Sequence, residues 1–503
     1  MAETSSTSRS SSSSFSYSFN GSPISNIAQD HLLTILLLLP VDSILCFAMT
    51  CKKFRALAAS DSLWESICRR DWGPKSVEAL KASNFGHQQL PWMRLYKQVS
   101  RVDSVYCHKF SDPDGELGFP SPRASHSLNF VSGCLVLFGG GCEGARLRGE
   151  EGLNAIRSWW KRKIPSTGQS STCTRPRPVL GRHLDDTWVA YIGNDFRRML
   201  KWQKINSGIP SGRFGHSSVV IDDFLVMFGG INDNGGRHND TWVGHVACHE
   251  SLGVTLSWKL LVVGSDAPSQ RGAHAACCID SRKMVIHGGI GLYGVRLCDT
   301  WVLELSENFR FGTWYEIRTH PCPPARSGHT LTCIGGARTV LFGGRGLGYD
   351  VLNDVWFLDI CEGNPKWVQV HYELQNIPGG VSLPRVGHSA TLMLGGHLLI
   401  CGGEDSYRHR KNDFWVLDIN AVPSITMQQP TPLNSMQLLA KMWKRFKANG
   451  YEPKCRSFHQ ACTDNSGRYL FVFGGMVDGL LQPPDPAGLR FDGELLLVEL
   501  VLR

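Results

Sequence analysis

Short apolar runs that end in a pair of glycines recur along most of this 503-residue chain. The runs are LVLFGG at 135–140, LVMFGG at 225–230, MVIHGG at 284–289, TVLFGG at 339–344, LLICGG at 398–403 and LFVFGG at 470–475. Polar and turn-forming residues separate each run from the next apolar stretch. Apolar stretches of this length, with turn residues between them, are typical of β-strands. The pattern therefore predicts an all-β region built from six copies of one repeat.

Each run is surrounded by the same polar and aromatic residues. Arg-x-x-His precedes it at Arg123/His126, Arg213/His216, Arg271/His274, Arg326/His329, Arg385/His388 and Arg456/His459, and the second glycine follows the histidine by 14 to 16 residues. An Asp-x-Trp starts the next apolar stretch in five copies, with tryptophans at 188, 242, 301, 356 and 415. A further tryptophan marks a fourth stretch, at 202, 258, 314, 367 and 443. Each repeat therefore contains four predicted strands.

Four strands per repeat predict the blade of a β-propeller. The sequence resembles the kelch-repeat family at every mark, namely Arg-x-x-His, the double glycine and the downstream tryptophan. This resemblance implies an all-β six-bladed kelch β-propeller over residues 104–503. The sixth repeat ends at Arg503 without a fourth strand, and the strand-like segment SVYCHKF at 104–110 stands before the first repeat. We expect this segment to complete the last blade, which closes the ring and removes open sheet edges.

The repeated residues have structural roles in this interpretation. The glycine pairs permit positive φ and close backbone approach, and the tryptophans are expected to wedge between adjacent twisted sheets. The Asp before each third strand is expected to accept hydrogen bonds from backbone donors in the preceding turn. The repeated Arg and His are expected to tie blade to blade. Six equivalent copies argue against a catalytic role for any one of these histidines.

Residues 24–72 follow a different pattern, with apolar residues at helical spacing. Leu32, Leu36 and Leu39 form one set, and Leu63 and Trp64 belong to another. Pro40 suits the start of a second helix, and Ser60-Asp61 suits the N-terminal cap of a third. The pattern predicts a small all-α domain of three helices, followed by a helical connector at 73–103.

This N-terminal segment resembles the F-box through Leu39-Pro40-Val41-Asp42, Cys51-Lys52, Ser60-Asp61-Ser62-Leu63-Trp64 and Cys68-Arg69-Arg70-Asp71. Its opening differs, because Ile27-Ala28-Gln29-Asp30 stands where the family has Leu-Pro-x-Glu/Asp. The resemblance implies a Skp-type adaptor as partner and, through it, a cullin and a RING protein. The residues expected to bind the adaptor are Leu32, Leu36, Leu39, Pro40, Val41, Asp42, Ile44, Leu45, Leu63 and Trp64. The alternative is an unrelated helical cap packed on the propeller.

The net charge of +8 is concentrated in one insertion, residues 141–184, which holds nine Lys/Arg against three Glu. This favours a local basic patch over a whole-surface nucleic-acid binder. Adjacent tryptophans among cations fit a protein-interaction hot spot or a nucleic-acid stacking site, and a solvated loop is the alternative. We favour an acidic or phosphorylated protein target and do not expect nucleic acid or a membrane as partner. The expected target-binding residues are Arg146, Arg148, Trp159, Trp160, Lys161 and Arg162 here, and Tyr293, Arg345, Tyr349, Tyr407 and Arg408 on shorter loops of the same rim. A second insertion, 421–441, is expected on the opposite face.

The two resemblances together imply a substrate-recognition subunit of an SCF-type (Skp adaptor–cullin–F-box) ubiquitin ligase. Such a subunit performs no chemistry and needs no metal or cofactor. The alternative is a kelch-fold specifier-type enzyme, because plant nitrile-specifier proteins are thought to hold iron with Glu-x-x-x-Asp-x-x-x-His. This chain offers Cys401, Asp405 and His409 at that spacing, with Cys in place of Glu.

Cysteine usage and the N-terminal tail bear on the compartment. The 17 cysteines include no C-x-x-C motif, so we expect free thiols in the cytosol or nucleus. Residues 1–23 are Ser-rich, which predicts a disordered tail, with a chloroplast transit peptide as the alternative. No apolar run is long enough to predict a membrane span.

Overall fold

The computed structural model describes residues 24, 27–82, 90–110, 118–142, 182–192, 201–206, 208–249, 253–360, 364–370, 383–419, 442–478 and 489–503. The Ser-rich tail at 1–23, almost all of the basic insertion and the whole of 421–441 lie outside these residues. The chain divides into two compact units. The helical unit comprises Met1–Arg70 and Leu90–Tyr96, and the propeller unit comprises Asp71–Gln89 and Lys97–Arg503.

The described N-terminal residues form six α-helices. They are α1 Gln29–Leu38, α2 Val41–Ala48, α3 Lys52–Ala58, α4 Asp61–Trp72, α5 Pro74–Ala82 and α6 Trp92–Ser100. Four of them lie within 24–72, where the sequence pattern predicted three. The additional helix is α3, whose good helix formers KKFRALA follow Cys51, and the Cys51 thiol accepts a hydrogen bond from the Phe54 N–H.

Local sequence signals explain where these helices begin. Pro40 occupies the N-cap position of α2, and the Ser60 hydroxyl accepts from the Leu63 N–H at 3.2 Å at the start of α4. Both predicted helix starts are confirmed. Arg70 closes the end of α1 by donating to the carbonyl oxygens of Leu37 and Leu39. None of the helices within the described ranges combines the length and apolar character that a membrane span requires.

The propeller strands follow the predicted repeats closely. The first two repeats contain β2 Ser127–Val131, β3 Cys134–Phe138, β4 Gly141–Cys142, β5 Arg182–His183, β6 Thr187–Tyr191, β7 Trp202–Asn206, β8 Ser217–Ile221, β9 Phe224–Phe228, β10 Thr241–His249 and β11 Gly253–Leu260, and β1 Ser104–Phe110 precedes them. The next two contain β12 Val262–Val263, β13 Ala275–Ile279, β14 Lys283–Ile290, β15 Arg296–Leu305, β16 Phe311–Ile317, β17 Thr330–Gly335, β18 Arg338–Arg345, β19 Val351–Asp359 and β20 Lys366–Val370. The last two contain β21 Ser389–Met393, β22 His397–Cys401, β23 Phe414–Asp418, β24 Trp443–Gly450, β25 Arg456–Ser457, β26 Gln460–Thr463, β27 Tyr469–Phe473, β28 Met476–Asp478, β29 Leu489–Phe491 and β30 Leu495–Leu500.

These strands pair mainly as antiparallel meanders, which confirms the β-propeller architecture. The sheets are β2-β3-β6-β7, β11-β10-β9-β8, β12-β16-β15-β14-β13, β17-β18-β19-β20 and β21-β22-β23-β24-β1-β30-β27-β26, with two small sheets at loops. The innermost strands β2, β8, β13, β17, β21 and β26 contact one another in that order, and β26 contacts β2. The chain therefore closes into a ring.

Hydrogen bonding produces five large sheets, whereas the sequence predicted six separate blades. The fifth and sixth repeats share one eight-stranded sheet, because β24 and β1 pair in parallel. At this junction Cys107 and Cys401 occupy the places that Trp and Phe hold elsewhere, and their thiols are close enough to interact electrostatically. The parallel pair extends over four positions, Ser104 to Cys107 opposite Lys447 to Gly450, and therefore joins the two meanders into one hydrogen-bonded sheet.

The predicted closure of the ring by residues 104–110 is confirmed. Strand β1 pairs antiparallel with β30, with Val105 opposite Leu500 and Phe110 opposite Leu495. The N-terminal strand thereby supplies the outer strand of the last repeat and covers its open edge.

The predicted wedges are the tryptophans of the fourth strands. Trp258 packs against Phe138 of the preceding repeat at 5.7 Å between ring centroids, and Trp314 packs against Phe228 at 5.0 Å. The pairs Trp202–Phe473, Trp367–His287 and Trp443–Phe342 repeat the arrangement. The glycine pairs permit this close packing, since a Cβ on Gly343 would lie 2.7 Å from the carbonyl oxygen of Arg385 in the next repeat.

Candidate functional site

The repeated arginines are buried and bind acids of their own repeat. Arg271, for example, has a fully buried side chain and donates to both carboxylate oxygens of Asp299 at 2.7 Å. Trp301 donates its Nε1–H to the same carboxylate at 2.8 Å. The same Arg–Asp–Trp arrangement is present at Arg123, Arg213, Arg326 and Arg385, and Arg456 binds Asp492 and Glu494 instead.

Two expectations for these residues were therefore wrong. The arginine side chains join strands within one repeat and not neighbouring blades, and the Asp side chains accept from Arg and Trp side chains and not from turn backbone. The reason is that a planar guanidinium matches a carboxylate in a bidentate pair, and this pair satisfies both charges where water is excluded. Burial raises the pKa of Asp299, but the hydrogen bonds and charge of Arg271 outweigh it, so the pKa lies below its ordinary value.

Four of the six repeated histidines join neighbouring repeats, as predicted. His216 Nε2 lies 3.0 Å from Ser127 Oγ, and His274 Nε2 lies 2.7 Å from Ser217 Oγ. His388 with Thr330 and His459 with Ser389 form the same contact. In each case the hydroxyl belongs to the residue that follows the histidine of the preceding repeat. These histidines are structural, and burial lowers the pKa of His216 to about 3, with the charge of Arg213 acting in the same direction.

A closed ring of backbone hydrogen bonds surrounds one end of the propeller axis. Ser125 N donates to Phe458 O, Phe458 N to Gly387 O, Gly387 N to Gly328 O, Gly328 N to Ala273 O, Ala273 N to Gly215 O and Gly215 N to Ser125 O, all over 2.6–2.9 Å. All six residues have positive φ, between 54° and 68°. The residue that follows a glycine pair forms an antiparallel β-bridge with the residue just before a member of the backbone ring. Arg345, for example, pairs in this way with Ser327, which precedes Gly328. We call this end of the propeller, with the loops that follow each glycine pair, the crown.

A charged network crosses the crown from the fourth repeat to the sixth. Buried Glu404 receives Arg345 Nη2 at 3.0 Å and Arg410 Nη2 at 3.3 Å. Arg410 also contacts Asp478 at 2.6 Å and donates to the Ser457 hydroxyl. The network holds these arginines in fixed positions beside the backbone ring.

Three exposed tyrosines lie on successive loops of the crown. The exposed fractions are 99% for Tyr293, 51% for Tyr349 and 77% for Tyr407. Arg408 lies on the same loop as Tyr407 and has a φ of 65°. The structure therefore brings the described target-binding candidates to one face, with Arg345 in the charged network. Arg146, Arg148, Trp159, Trp160, Lys161 and Arg162 lie outside the described residues.

The end opposite the crown carries helical segments of the propeller unit. The backbone carbonyl oxygen of Val99, in α6, lies 3.1 Å from His397 Nε2 at the hairpin between β21 and β22. Lys75, in α5, lies 3.9 Å from Asp222 at the hairpin between β8 and β9. Both hairpins connect first and second strands, so these contacts leave the crown loops uncovered.

The helical unit exposes an apolar patch that the sequence pattern identified only in part. We define the helical patch as Ile35, Leu38, Leu45 and Met49, with exposed fractions of 44%, 82%, 40% and 71%. Ile35 and Leu38 share one side of α1, and Leu45 and Met49 lie on and just after α2. Exposed apolar side chains grouped in this way mark partner surfaces.

Half of the residues expected to bind an adaptor are instead core residues of the helical unit. Leu32, Leu36, Ile44, Leu63 and Trp64 are buried in its hydrophobic cluster, so they support the patch and do not present a contact surface. The physical reason is that a four-helix unit has enough internal partners to cover one stripe of each helix. Of the remaining candidates, Leu39 and Val41 are half-buried and Pro40, Asp42 and Leu45 are exposed.

The enzyme alternative receives no support from the geometry. Cys401 is buried in β22, and burial raises the pKa of its thiol to about 12. Asp405 Oδ1 accepts from the backbone N–H groups of Tyr407 and His409, and its Oδ2 lies 2.8 Å from Lys411 Nζ. A search of the described ranges finds no set of three or more His, Cys, Asp or Glu residues placed to hold a metal ion.

Sequence reasoning missed several residues of both surfaces. Ile35 and Leu38 lie in the apolar run ILLLL at 35–39, and Met49 follows α2. Within so apolar a segment, periodicity alone does not separate core residues from surface residues. Arg296 also escaped notice, although it stands a few residues before an Asp-x-Trp. Its position after a glycine pair was the signal that could have placed it in the crown.

Comparisons with known proteins match both the helical unit and the propeller unit. A profile described as "F-box-like" matches residues 29–70, and one described as "KLHDC2/KLHL20/DRC7 Kelch-repeats domain" matches residues 251–433. The F-box/kelch-repeat protein At1g51550 of Arabidopsis thaliana is 56% identical over 496 residues, which cover 97% of this chain and 94% of that protein. Adagio protein 3 of Arabidopsis thaliana is 28% identical over 84% of this chain, and the match spans 58% of its length. Putative adagio-like protein 2 of Oryza sativa subsp. japonica is 27% identical over 85% of this chain and 58% of its own length.

Proposed function

Because this chain belongs to the F-box/kelch-repeat proteins, we propose that it is the substrate-recognition subunit of an SCF-type ubiquitin ligase. The helical unit binds a Skp-type adaptor, as F-box domains generally do, and the adaptor connects it to a cullin and a RING protein. The crown binds the target protein, and the ligase transfers ubiquitin to it. The chain itself performs no chemistry and acts by raising the effective concentration of the target at the ligase.

The helical patch is the observation that carries this proposal. Its apolar side chains project from a unit whose core is already filled by Leu32, Leu36 and Ile44. Burying these side chains against a partner removes apolar surface from water, which favours association by about 25 cal/mol per Å². The buried free thiols of the propeller, Cys277 among them, support a reducing compartment, and we place the protein in the cytosol or nucleus.

We also infer that the propeller has six blades. The eight-stranded sheet consists of two four-stranded meanders that meet at the parallel pair β24–β1. Six inner strands and six Arg-x-x-His segments follow one another around the axis, which supports counting this sheet as two blades.

Capture of a purified plant Skp-type adaptor by the full-length chain tests the proposal. The substitutions Leu38→Asp and Met49→Asp place charges in the patch without disturbing the core, because both side chains are mostly exposed. We expect at least tenfold weaker binding by calorimetry, since about 1.4 kcal/mol corresponds to a tenfold change. Leu347→Asp, an equally apolar exposed position in the crown, is the matched control and should bind normally. Equal affinity of all variants, or no adaptor binding by the unmodified chain, would refute the assignment.

A further inference from the structure

Arg296 stands in the crown without an acidic partner among the described residues. Its Nε donates to the Ser327 hydroxyl at 3.2 Å, and its guanidinium lies 4.5 Å from the centroid of the Tyr349 ring. Asp350, on the same loop as Tyr349, forms no ion pair with it. The side chain is half-buried, and burial lowers the pKa of its guanidinium. Arg296 is therefore a partly desolvated cation whose charge is not neutralised within this part of the chain.

Arg345 brings a second positive charge to the same place. Its backbone N–H donates to the carbonyl oxygen of Ser327 at 2.8 Å, so both arginines border one residue. One side of its guanidinium binds Glu404, but its Nε is buried and has no acceptor in the described structure. The two guanidinium groups are close enough to interact electrostatically, so an anion beside Arg296 is attracted by the charge of Arg345 as well.

We propose that Arg296 and Arg345 form an anion-binding notch that receives a carboxylate or phosphate group carried on a segment of the target protein. This notch is defined by Arg296, Ser327, Arg345 and Tyr349. It rests on the proposed function, because it assigns to the crown the chemistry by which a target is recognised. Arginine binds both anions through paired N–H donors, so the two sources share one recognition chemistry.

The surroundings of the notch favour a protein segment over a free anion. Tyr293 and Leu347 are exposed on the loops on either side, and Tyr349 covers Arg296. Tyrosine and arginine dominate the binding energy of protein interfaces, where apolar rims exclude water from the polar contact. A peptide can place one anionic side chain in the notch and pack its neighbours on these rims.

The same surroundings oppose a nucleic acid. Glu404 and Asp478 accompany the arginines in the network, and Asp405 lies beside Glu404. A backbone with regularly spaced phosphates would approach the partly exposed carboxylate of Asp478 as well as the notch, and like charges at contact distance are unfavourable. An isolated negative group on a peptide avoids them.

Selection from oriented peptide libraries on the full-length chain tests the notch. Three libraries of 12-residue peptides share random flanks and carry a fixed central Glu, phosphoserine or Gln, and a single-stranded oligonucleotide forms a fourth arm. Mass spectrometry quantifies the peptides that are retained. We expect at least tenfold greater retention of the Glu or the phosphoserine library than of the Gln library, and the preferred arm identifies the source of the anion. Equal retention of the three libraries, or preferential binding of the oligonucleotide, would overturn the proposal.

Matched arginine variants connect the preference to the notch. Arg296→Gln should reduce retention to the level of the Gln library, and Arg296→Lys should restore part of it. Arg282→Gln is the control, because Arg282 belongs to the same repeat but lies at the opposite end, paired with exposed Glu307. A preference that persists in folded Arg296→Gln contradicts the notch. Adaptor capture depends on the helical patch and not on the notch. If the chain captures the adaptor but shows no preference among the peptide libraries, only the notch is rejected. If the chain does not capture the adaptor, the proposed function is rejected.

Discussion

His216 Nε2 lies 3.0 Å from Ser127 Oγ, although 89 positions separate the two residues. The contact joins consecutive repeats, and a hydroxyl at the position after the preceding histidine makes it possible. His329 and His126 have neither ring nitrogen bonded in the described structure, because Ala275 and Gln460 stand at that position. Four of the six junctions are thus linked by this hydrogen bond, and two contain a buried histidine without it.

Ala275→Ser should stabilise the propeller by supplying the hydroxyl that His329 lacks. A buried hydrogen bond contributes about 0.5–1.5 kcal/mol, and the unpaired nitrogen no longer has to be buried without a partner. The expected result is a higher midpoint of urea unfolding. The control is Ala276→Ser, one position further along β13, where alternation directs the side chain to the other face. If Ala275→Ser does not raise the midpoint of urea unfolding, or raises it no more than Ala276→Ser does, the proposed role of the hydroxyl is contradicted.

Asp299→Ala should destabilise the protein strongly, because it leaves the fully buried guanidinium of Arg271 without its counter-charge. Loss of one partner of a buried ion pair costs about 3–5 kcal/mol. Glu307→Ala removes an exposed partner of Arg282 and should cost less than about 1 kcal/mol. Urea unfolding of the two variants measures the difference. Similar losses would mean that burial does not determine the contribution of the ion pair.

Stability should fall as the pH drops below about 6.5. The pKa values of His216, His274, His287 and His459 are lowered to about 3 by burial, whereas the unfolded histidines titrate near 6.5. Above pH 6.5 both states are neutral and stability is fully retained. Between 6.5 and 3 only the unfolded chain takes up these protons, so each histidine lowers the free energy of unfolding by roughly 1.4 kcal/mol per pH unit.

Urea unfolding at pH 7.5, 6.5, 5.5 and 4.5 measures this dependence. The pKa of His126 is also lowered by burial, and its ring nitrogens make no hydrogen bond in the described structure, so His126→Leu should reduce the pH dependence without removing a hydrogen bond. Replacement of exposed His245 by Leu should leave the slope unchanged. A stability that rises on acidification would contradict the assignment of neutral buried histidines.

Val105→Asp should prevent closure of the ring, whereas Tyr106→Asp should be tolerated. Both residues lie in β1, but Val105 is fully buried and Tyr106 is 42% exposed. A buried carboxylate in place of valine loses the transfer free energy of the side chain and adds an unpaired charge, which costs more than about 3 kcal/mol. Limited proteolysis of the two variants should show rapid cleavage only for the first. Comparable resistance would indicate that β1 is dispensable for closure.

Residues that recur in every repeat were assigned well from the sequence. The strands, the Pro40 and Ser60 helix starts and the closing strand at 104–110 follow from local periodicity and turn chemistry, which act over a few residues. The bond partners were less accessible. Asp299 was expected to bind turn backbone, but its partners Arg271 and Trp301 are known only once three strands are aligned.

The two surfaces show the same limit. Leu36 and Leu38 are indistinguishable in an apolar run, yet one fills the core of the helical unit and the other faces solvent. Arg296 and Arg345 are 49 positions apart in the sequence. Their convergence on Ser327 depends on the path of two crown loops, which no local pattern reports.

The amino-acid sequence by itself determined the repeat, its strands, the ring closure and the presence of an apolar helical segment, because hydrophobic periodicity and glycine positions specify local backbone geometry. Only the tertiary structure decided which leucines form the helical patch and which arginines share the notch. It also decided that the fifth and sixth repeats share one sheet. Those outcomes depend on distances between residues remote in the chain, and such distances arise only when the blades pack side by side.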